Sequence, residues 1–210
     1  MTARRKKDTN NRRYPIIFSG HMVDSAFRGT RTQLRKRISF NRGFEQPLPF
    51  MWDSRVDAPN GVVSLQRMPG DSSLWWACGR TVSKYAAVNP QYGGPGSLLY
   101  VREEWADVGA GSSEHIAYRH GPNKTVDDAL TTWRPGIVMK KAHARLWIRI
   151  KDTRAERLCD ISDVDIGLSG FNSKGEFKTH WDAANYLQAS WKTNPWVWVV
   201  DFSVDGMTKR

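Results

Sequence analysis

The pattern of hydrophobic and polar residues along this chain predicts several short strands. Polar and apolar residues alternate from Lys141 to Lys151, which is typical of a strand with one buried face. The run from Pro195 to Val204 is rich in β-branched and aromatic residues, which also favours a strand. Shorter apolar runs predict strands at 14–18, 62–68 and 98–105, the last of them paired with 115–119 as a hairpin.

Helical spacing is limited to a few segments. Apolar residues at helical intervals predict helices over 21–27 and 177–191, and Asp160 or Ser162 predicts a capped helix over 162–168. Segments rich in Pro, Gly and Asn predict loops, with insertions near 41–72 and 106–132 and a turn-rich loop over 86–97. Since strands and helices do not alternate regularly, the predicted fold class is α+β, a mostly antiparallel sheet or small barrel with short peripheral helices and long loops.

Length and composition narrow the class of protein. The chain has 210 residues, of which 40% are hydrophobic and 25% charged, enough for one globular domain with its own core. Cys78 and Cys159 match no metal-ligand or redox spacing, and no apolar run approaches the roughly 18 residues of a membrane span. Secreted, membrane-spanning and zinc-finger proteins are therefore excluded, and the sequence predicts a cytoplasmic protein with no metal and no cofactor.

The net charge of +11 is concentrated at one end of the chain. Residues 1–42 hold twelve lysines and arginines against two acids, whereas the remaining residues hold twenty basic and nineteen acidic side chains. Because each phosphate that a cation neutralises releases counterions, this end favours a polyanionic partner. Residues 1–13 lack a hydrophobic period and are expected to form a flexible, non-specific basic arm, or a solvated tail that aids solubility. The cations of this arm are Arg4, Arg5, Lys6, Lys7, Arg12 and Arg13.

A second group of cations follows the predicted end of the first helix at Gly29. In an extended chain, Arg31, Arg35 and Arg37 would share one face. Guanidinium groups bind phosphate bidentately, so this basic segment predicts a phosphate-binding site; the alternative is an edge strand protected from aggregation by its charge. The predicted ligands are Thr30, Arg31, Thr32, Gln33, Arg35, Lys36 and Arg37.

The ten tryptophans fall into two groups. Most lie in apolar runs or at helical spacing and are expected in the core: Trp75, Trp76, Trp147, Trp181, Trp196 and Trp198. Trp52, Trp105 and Trp133 lie beside charges or loops, so they are candidates for stacking on bases, with core packing as the alternative. Arg102 and Arg134 accompany Trp105 and Trp133 as candidate phosphate ligands.

The order of several short blocks resembles phage-encoded members of the ASCH family. The blocks are PIIFSG (15–20), GTRTQ (29–33), YGGPG (92–96), YVRE (100–103) with Trp105, WRP (133–135), RLCDIS (157–162) and NPWVWV (194–199). The resemblance covers residues 14–204, with the basic arm before it and a tail at 205–210 after it. It implies a PUA-like β-barrel, a fold used for RNA binding, in which the basic segment lines the ligand cleft.

The resemblance also allows the residues of known ASCH enzymes to be compared with those at the matching positions of this chain. Some small bacterial ASCH proteins are amidohydrolases that deacetylate acetylated cytidine, and others are described as ribonucleases. The amidohydrolase residues are a Lys two positions after the glycine, a Glu or Thr at five, an Arg at seven and a Glu in a later short helix. Here these positions hold Arg31, Leu34, Lys36 and Ser169. Arginine stays charged and leucine offers no hydroxyl, so the amidohydrolase machinery is not retained, although Arg31 can still hold an oxyanion or phosphate.

The sequence thus predicts a nucleic-acid-binding protein whose ligand is RNA or another single strand, acting in the cytoplasm of the host cell if phage-encoded. A hydrolase acting on a modified nucleoside or on RNA is the alternative, with Arg31 and Glu103 as weak catalytic candidates. A phage protein that binds an acidic host factor is a further alternative.

Overall fold

A computed structural model of the chain describes residues 13–38, 62–67, 75–79, 85–88, 90–109, 115–122, 126–127, 130–185 and 189–207. The chain divides into two compact units. The first unit comprises residues 1–32, 96–151 and 202–210, and the second comprises residues 33–95 and 152–201. Of the predicted arm at 1–13, residues 1–12 lie outside the described residues, whereas Arg13 begins a strand. Most of the insertion at 41–72, including Trp52, also lies outside the described residues.

The regular elements follow the chain in this order: β1 (Arg13–Ile17), α1 (Gly20–Phe27), β2 (Gln33–Arg37), β3 (Val62–Arg67), β4 (Trp75–Gly79), β5 (Tyr85–Val88), β6 (Leu98–Arg102), β7 (Trp105–Asp107), β8 (Ile116–Tyr118), β9 (Leu146–Arg157), α2 (Asp163–Leu168), α3 (Lys174–Ala184) and β10 (Trp196–Met207). Five of these strands are hydrogen-bonded in the order β1-β6-β9-β10-β2, and β9 and β10 are each divided between the two units.

In the first unit, β1 pairs with β6 in parallel, and β6 pairs with β9 in antiparallel orientation. One face of these strands is apolar and buried, with Leu99, Val101 and Ile148 fully inaccessible to solvent. Successive residues of a strand point to opposite faces, so the neighbours of these residues form the opposite, outer face. β7 and β8 form a separate antiparallel pair.

In the second unit, β2 pairs with β10 in antiparallel orientation, and β3, β4 and β5 form an antiparallel sheet in that order. The two helices begin at serine caps. The Ser162 hydroxyl accepts from the Asp165 N–H at the start of α2, and the Ser173 hydroxyl accepts from the Glu176 N–H at the start of α3. Both helices contribute to an apolar cluster with the strands, made of Leu158, Ile161, Ile166, Phe171, Phe177, Trp181, Val197 and Val199.

The described residues confirm an α+β fold with mostly antiparallel sheets and few helices. Several boundaries differ from the prediction. The predicted strand at 98–105 is divided into β6 and β7 at Glu103 and Glu104, and residues 141–143 form a 3₁₀ turn before β9 begins. Helix α3 starts earlier than predicted because Ser173 caps it, and β5 occupies part of the predicted loop at 86–97. Strand β10 continues to Met207, into the predicted tail. None of the described helices is long and apolar enough to cross a membrane.

Candidate nucleic-acid interface

The outer face of the first unit combines aromatic and cationic side chains in rows across the strands. Pro15 is in register with Tyr100, which is in register with Trp147, and this row carries the two aromatic rings. On one side of it, Arg13, Leu98 and Arg149 form a second row. On the other side, Arg102 lies opposite Ile17. Because residues in register project to the same face, the aromatic row is flanked by cations on both sides. We call Arg13, Arg102, Trp147 and Arg149, together with the adjacent Lys141, the outer face; Tyr100 belongs to the same row but is buried, with 8% of its surface exposed.

Trp147 is the centre of this surface. Its side chain is half-buried, with its ring 5.8 Å from the Tyr100 ring at an interplanar angle of 48°. The guanidinium carbon of Arg13 lies 5.8 Å from the Trp147 ring centre, and the ammonium of Lys141 lies 5.9 Å from it. Both distances fall within the range of cation–π attraction, so the two exposed cations are held over the indole ring.

Arg102 is anchored beside the aromatic row. Its guanidinium carbon lies 5.5 Å from the Tyr100 ring centre, its Nη2 donates to the Tyr100 hydroxyl at 3.3 Å, and its Nη1 donates to the Ile137 carbonyl at 3.1 Å. Gly136 lies close enough to the Arg102 and Glu103 backbone that a Cβ there would meet it at 3.0 Å. The loop that holds the guanidinium is therefore packed directly against the end of β6.

Arg149 is paired with a carboxylate. Its Nε and Nη2 donate to the two carboxylate oxygens of Asp205 on β10, at 2.7 and 2.8 Å. Both side chains are accessible, at 46% and 32%. The hydrogen bonds and the charge of Arg149 lower the pKa of Asp205, so Asp205 is ionised at neutral pH.

The predicted ligands of the basic segment differ in their exposure to solvent, and they do not form one accessible face. Arg31 and Arg35 are buried, with 3% and 8% of their surface exposed, and Gln33 is buried as well. Lys36 is exposed and Arg37 half-exposed. Thr30, also exposed, donates its hydroxyl hydrogen to the Ser25 carbonyl, and the carbonyl of the half-exposed Thr32 accepts from the Phe202 N–H.

Arg35 belongs to a network of charged and amide side chains within the second unit. Its guanidinium donates to Glu156, Asp165, the Ser169 hydroxyl and the Gln33 amide oxygen. The Gln33 amide nitrogen in turn donates to Asp165 and Asp201, both at 2.8 Å. Arg154 contacts all three acids, at distances between 2.9 and 3.4 Å. This arginine–carboxylate network consists of Gln33, Arg35, Arg154, Glu156, Asp165, Ser169 and Asp201.

The arginine–carboxylate network holds more negative than positive charge. Its two guanidinium groups face three carboxylates, so it carries no surplus positive charge to attract phosphate. Burial alone raises the pKa of Asp165, but the hydrogen bond from Gln33 and the charges of Arg35 and Arg154 outweigh it and hold that pKa below its ordinary value. The network therefore serves to fix β2 to β9, β10 and α2.

The two weak catalytic candidates are buried in the first unit. Burial lowers the pKa of Arg31 to about 10, and its guanidinium carbon lies 5.8 Å from the Phe18 ring centre. Glu103 is completely buried, and its two oxygens accept from Nε and Nη2 of Arg145 at 3.0 and 2.8 Å. Burial raises the pKa of Glu103, although the hydrogen bonds and charge of Arg145 oppose the shift. Since Glu103 is enclosed and paired, its geometry is that of a structural ion pair.

The tryptophans also differ in how deeply they are buried. Trp105 is 4% exposed and packs edge-on against His143, with ring centres 5.0 Å apart, so it belongs to the core. Trp133 is half-buried, and the exposed Arg134 lies over the Trp105 ring at 5.2 Å. Trp181 and Trp198 are buried as expected, whereas Trp147 and Trp196, which were also assigned to the core, are half-buried. The side chains of Trp75 and Trp76 lie outside the described part of the chain. The signal that could have found Trp147 was its position among the polar residues of the alternating segment.

Within the described residues, no group of three or more His, Cys, Asp or Glu side chains is arranged to hold a metal ion. Comparison with models of protein families, with curated proteins and with solved structures found no match to this chain.

Proposed function

We propose that this protein binds single-stranded nucleic acid, with RNA as the first candidate, through the outer face of its first unit. The observation that carries the proposal is Trp147, a half-buried indole with the exposed cations Arg13 and Lys141 over its ring. A base that takes the place of one of these cations on the ring leaves that cation next to its own phosphates. Stacking accepts any base, and the cations supply the electrostatic attraction to the backbone.

An unpaired strand suits this surface better than a duplex. In a duplex, the faces of the bases are stacked on one another and unavailable to a protein side chain, whereas in a single strand they are free. The aromatic row lies between rows that carry Arg13 and Arg149 on one side and Arg102 on the other. Cations on both sides of the aromatic row support contacts with the phosphates before and after a stacked base.

Two features of the sequence support the same assignment. The basic arm joins the fold at Arg13, so its cations extend the positive charge of the outer face along the chain. The resemblance to the ASCH family supports a PUA-like domain, and this fold is used for RNA binding. We therefore propose a PUA-like barrel whose ligand binds to the outer face and not to the basic segment.

The proposal is tested by fluorescence anisotropy with labelled single-stranded RNA, single-stranded DNA and duplex DNA over a series of salt concentrations. Trp147→Leu should weaken single-strand binding by about tenfold or more, the value of one stacked base. Arg13→Ala combined with Lys141→Ala should reduce the slope of log affinity against log salt by about 1.4, since each phosphate contact with a single strand contributes about 0.7.

The matched control is Lys178→Ala combined with Lys192→Ala, two exposed cations of the second unit whose removal changes the net charge equally. Equal losses in both double variants, together with no effect of Trp147→Leu, would show that binding is only a property of net charge. The same samples on a denaturing gel test the hydrolase alternative, since cleaved RNA would favour it. Binding to an acidic protein without binding to any oligonucleotide would favour the host-factor alternative.

A further inference from the structure

We propose that Asp205 is an internal competitor of phosphate: it holds Arg149 on the outer face until a nucleic-acid strand displaces it, and so limits the affinity of the surface. This inference rests on the proposed function, because it assigns a regulatory residue to the same surface.

The geometry places Asp205 where a phosphate would bind. Arg149 is in register with Leu98, and Leu98 with Arg13, so the guanidinium groups of Arg13 and Arg149 belong to one row across three strands. Neighbouring strands are about 4.8 Å apart, which puts the two Cα atoms roughly 10 Å from each other. Asp205, on β10, occupies the bidentate fork of Arg149 with both carboxylate oxygens. A carboxylate and a phosphate bind such a fork in the same way.

The pair is suited to exchange because it is exposed. Arg149 and Asp205 remain 46% and 32% accessible, and an ion pair in this setting contributes little to the stability of the fold. Arg149 has a further anchor, since its Nη1 donates to the Gly96 carbonyl at 3.1 Å. This bond keeps the guanidinium on the outer face when its carboxylate partner is replaced by a phosphate.

Asp205 therefore opposes binding in two ways. While it is paired, Arg149 adds no net charge to the row, and Arg13 attracts the strand without it. Once a phosphate has taken Arg149, the carboxylate remains beside the phosphate and repels it. The buried Glu103–Arg145 pair, by contrast, has no accessible carboxylate and cannot exchange in this way.

The experiment measures binding of fluorescein-labelled oligouridine to the full chain over a salt series. Asp205→Asn should raise the affinity by about fivefold, the size of one exposed ion pair, and steepen the salt slope by about 0.7. Arg149→Ala should weaken binding, because it leaves the charge of Asp205 unopposed. The double variant Arg149→Ala with Asp205→Asn should bind with nearly wild-type affinity. Thermal melting verifies that each variant is folded.

Asp163→Asn is the matched control, since Asp163 is an exposed acid of the second unit and its substitution changes the net charge equally. Equal effects of Asp205→Asn and Asp163→Asn would overturn the inference, because the effect would then be one of net charge. If Trp147→Leu abolishes binding while Asp205→Asn changes neither affinity nor slope, the inference is wrong and the proposed function stands. If the wild-type chain does not bind the oligonucleotide at all, both are wrong.

Discussion

The guanidinium of Arg35 lies against the carboxylate of Glu156, with 2.6 Å between Nη2 and Oε1, and only 1% of the arginine side chain is exposed. This contact joins β2 to β9 within the second unit. The sequence predicts Arg35 as a phosphate ligand, but here its guanidinium is already paired with a carboxylate. Substitutions of Arg35 can therefore distinguish a structural role from a role in binding.

Replacing Arg35 by methionine should lower the free energy of unfolding by about 3 kcal/mol, because removing the buried partner leaves the carboxylates of Glu156, Asp165 and Asp201 with Arg154 as their one remaining guanidinium in the network. Urea denaturation measures this loss. Lys36→Met is the matched control, since Lys36 is the exposed neighbour, and its effect should stay within about 0.5 kcal/mol. Equal losses in the two variants would contradict a structural role for Arg35.

Arg35 and Arg13 should also differ in their contribution to nucleic-acid binding. In Arg35→Met, under conditions where the variant is folded, the slope of log affinity against log salt should equal that of the wild type, because Arg35 is already neutralised by acids. Arg13→Ala should reduce the slope by about 0.7. If the slope of log affinity against log salt were reduced in Arg35→Met and unchanged in Arg13→Ala, the phosphate site would lie on the basic segment instead of the outer face.

The stability of the arginine–carboxylate network should depend on pH through Asp165. The pKa of Asp165 is lower in the folded chain than its ordinary value of about 3.9. Its contribution is therefore complete above that value and is lost as the pH falls from there through the folded pKa. Asp165→Asn should be less stable than the wild type at neutral pH, and the difference should shrink in acid. Thermal melts of both proteins over a series of pH values measure this difference.

Breaking the Glu103–Arg145 pair should make the stability of the fold depend on pH in a higher pH range than that of Asp165. Arg145→Ala leaves a completely buried carboxylate without its partner, at a cost of about 3 kcal/mol near neutral pH. Burial already raises the pKa of Glu103, and loss of Arg145 removes the opposing interactions, so protonation relieves the cost as the pH falls. The stability gap between variant and wild type should narrow from pH 7 towards acid. A gap that is constant with pH would show that the loss comes from packing of the arginine against Tyr118 and Phe27, whose ring centres lie 4.0 and 4.8 Å from its guanidinium carbon.

Deleting residues 2–12 tests the basic arm. The deletion removes Arg4, Arg5, Lys6, Lys7 and Arg12, so the salt slope should fall by at most about 3.5 if each of the five contacts a phosphate. The effect of Trp147→Leu should be the same with and without the arm, because stacking is local to the outer face. If the shortened chain no longer responds to Trp147→Leu, the binding seen in the full chain belongs to the arm.

Local sequence patterns predict the α+β class and many of the strands and helices. The alternation around β9, the β-branched run of β10 and the serine cap of α2 are local signals, and the structure places elements at each of them. Because these signals are local, they do not predict element boundaries that differ from the local pattern. Glu103, where the predicted strand is divided, pairs with an arginine 42 residues away, and no local pattern reveals this partner.

Only the tertiary structure decided which cations are available to a ligand. Sequence spacing put Arg31, Arg35 and Arg37 on one face, but burial depends on which carboxylates the fold brings to them. Gln33 and Asp165, which share a hydrogen bond in the arginine–carboxylate network, are 132 positions apart. The outer face has the same origin, since Tyr100 and Trp147 become neighbours only through strand pairing. Periodicity along a chain reports which way each side chain points, whereas the partner it meets there is set by contacts between distant segments.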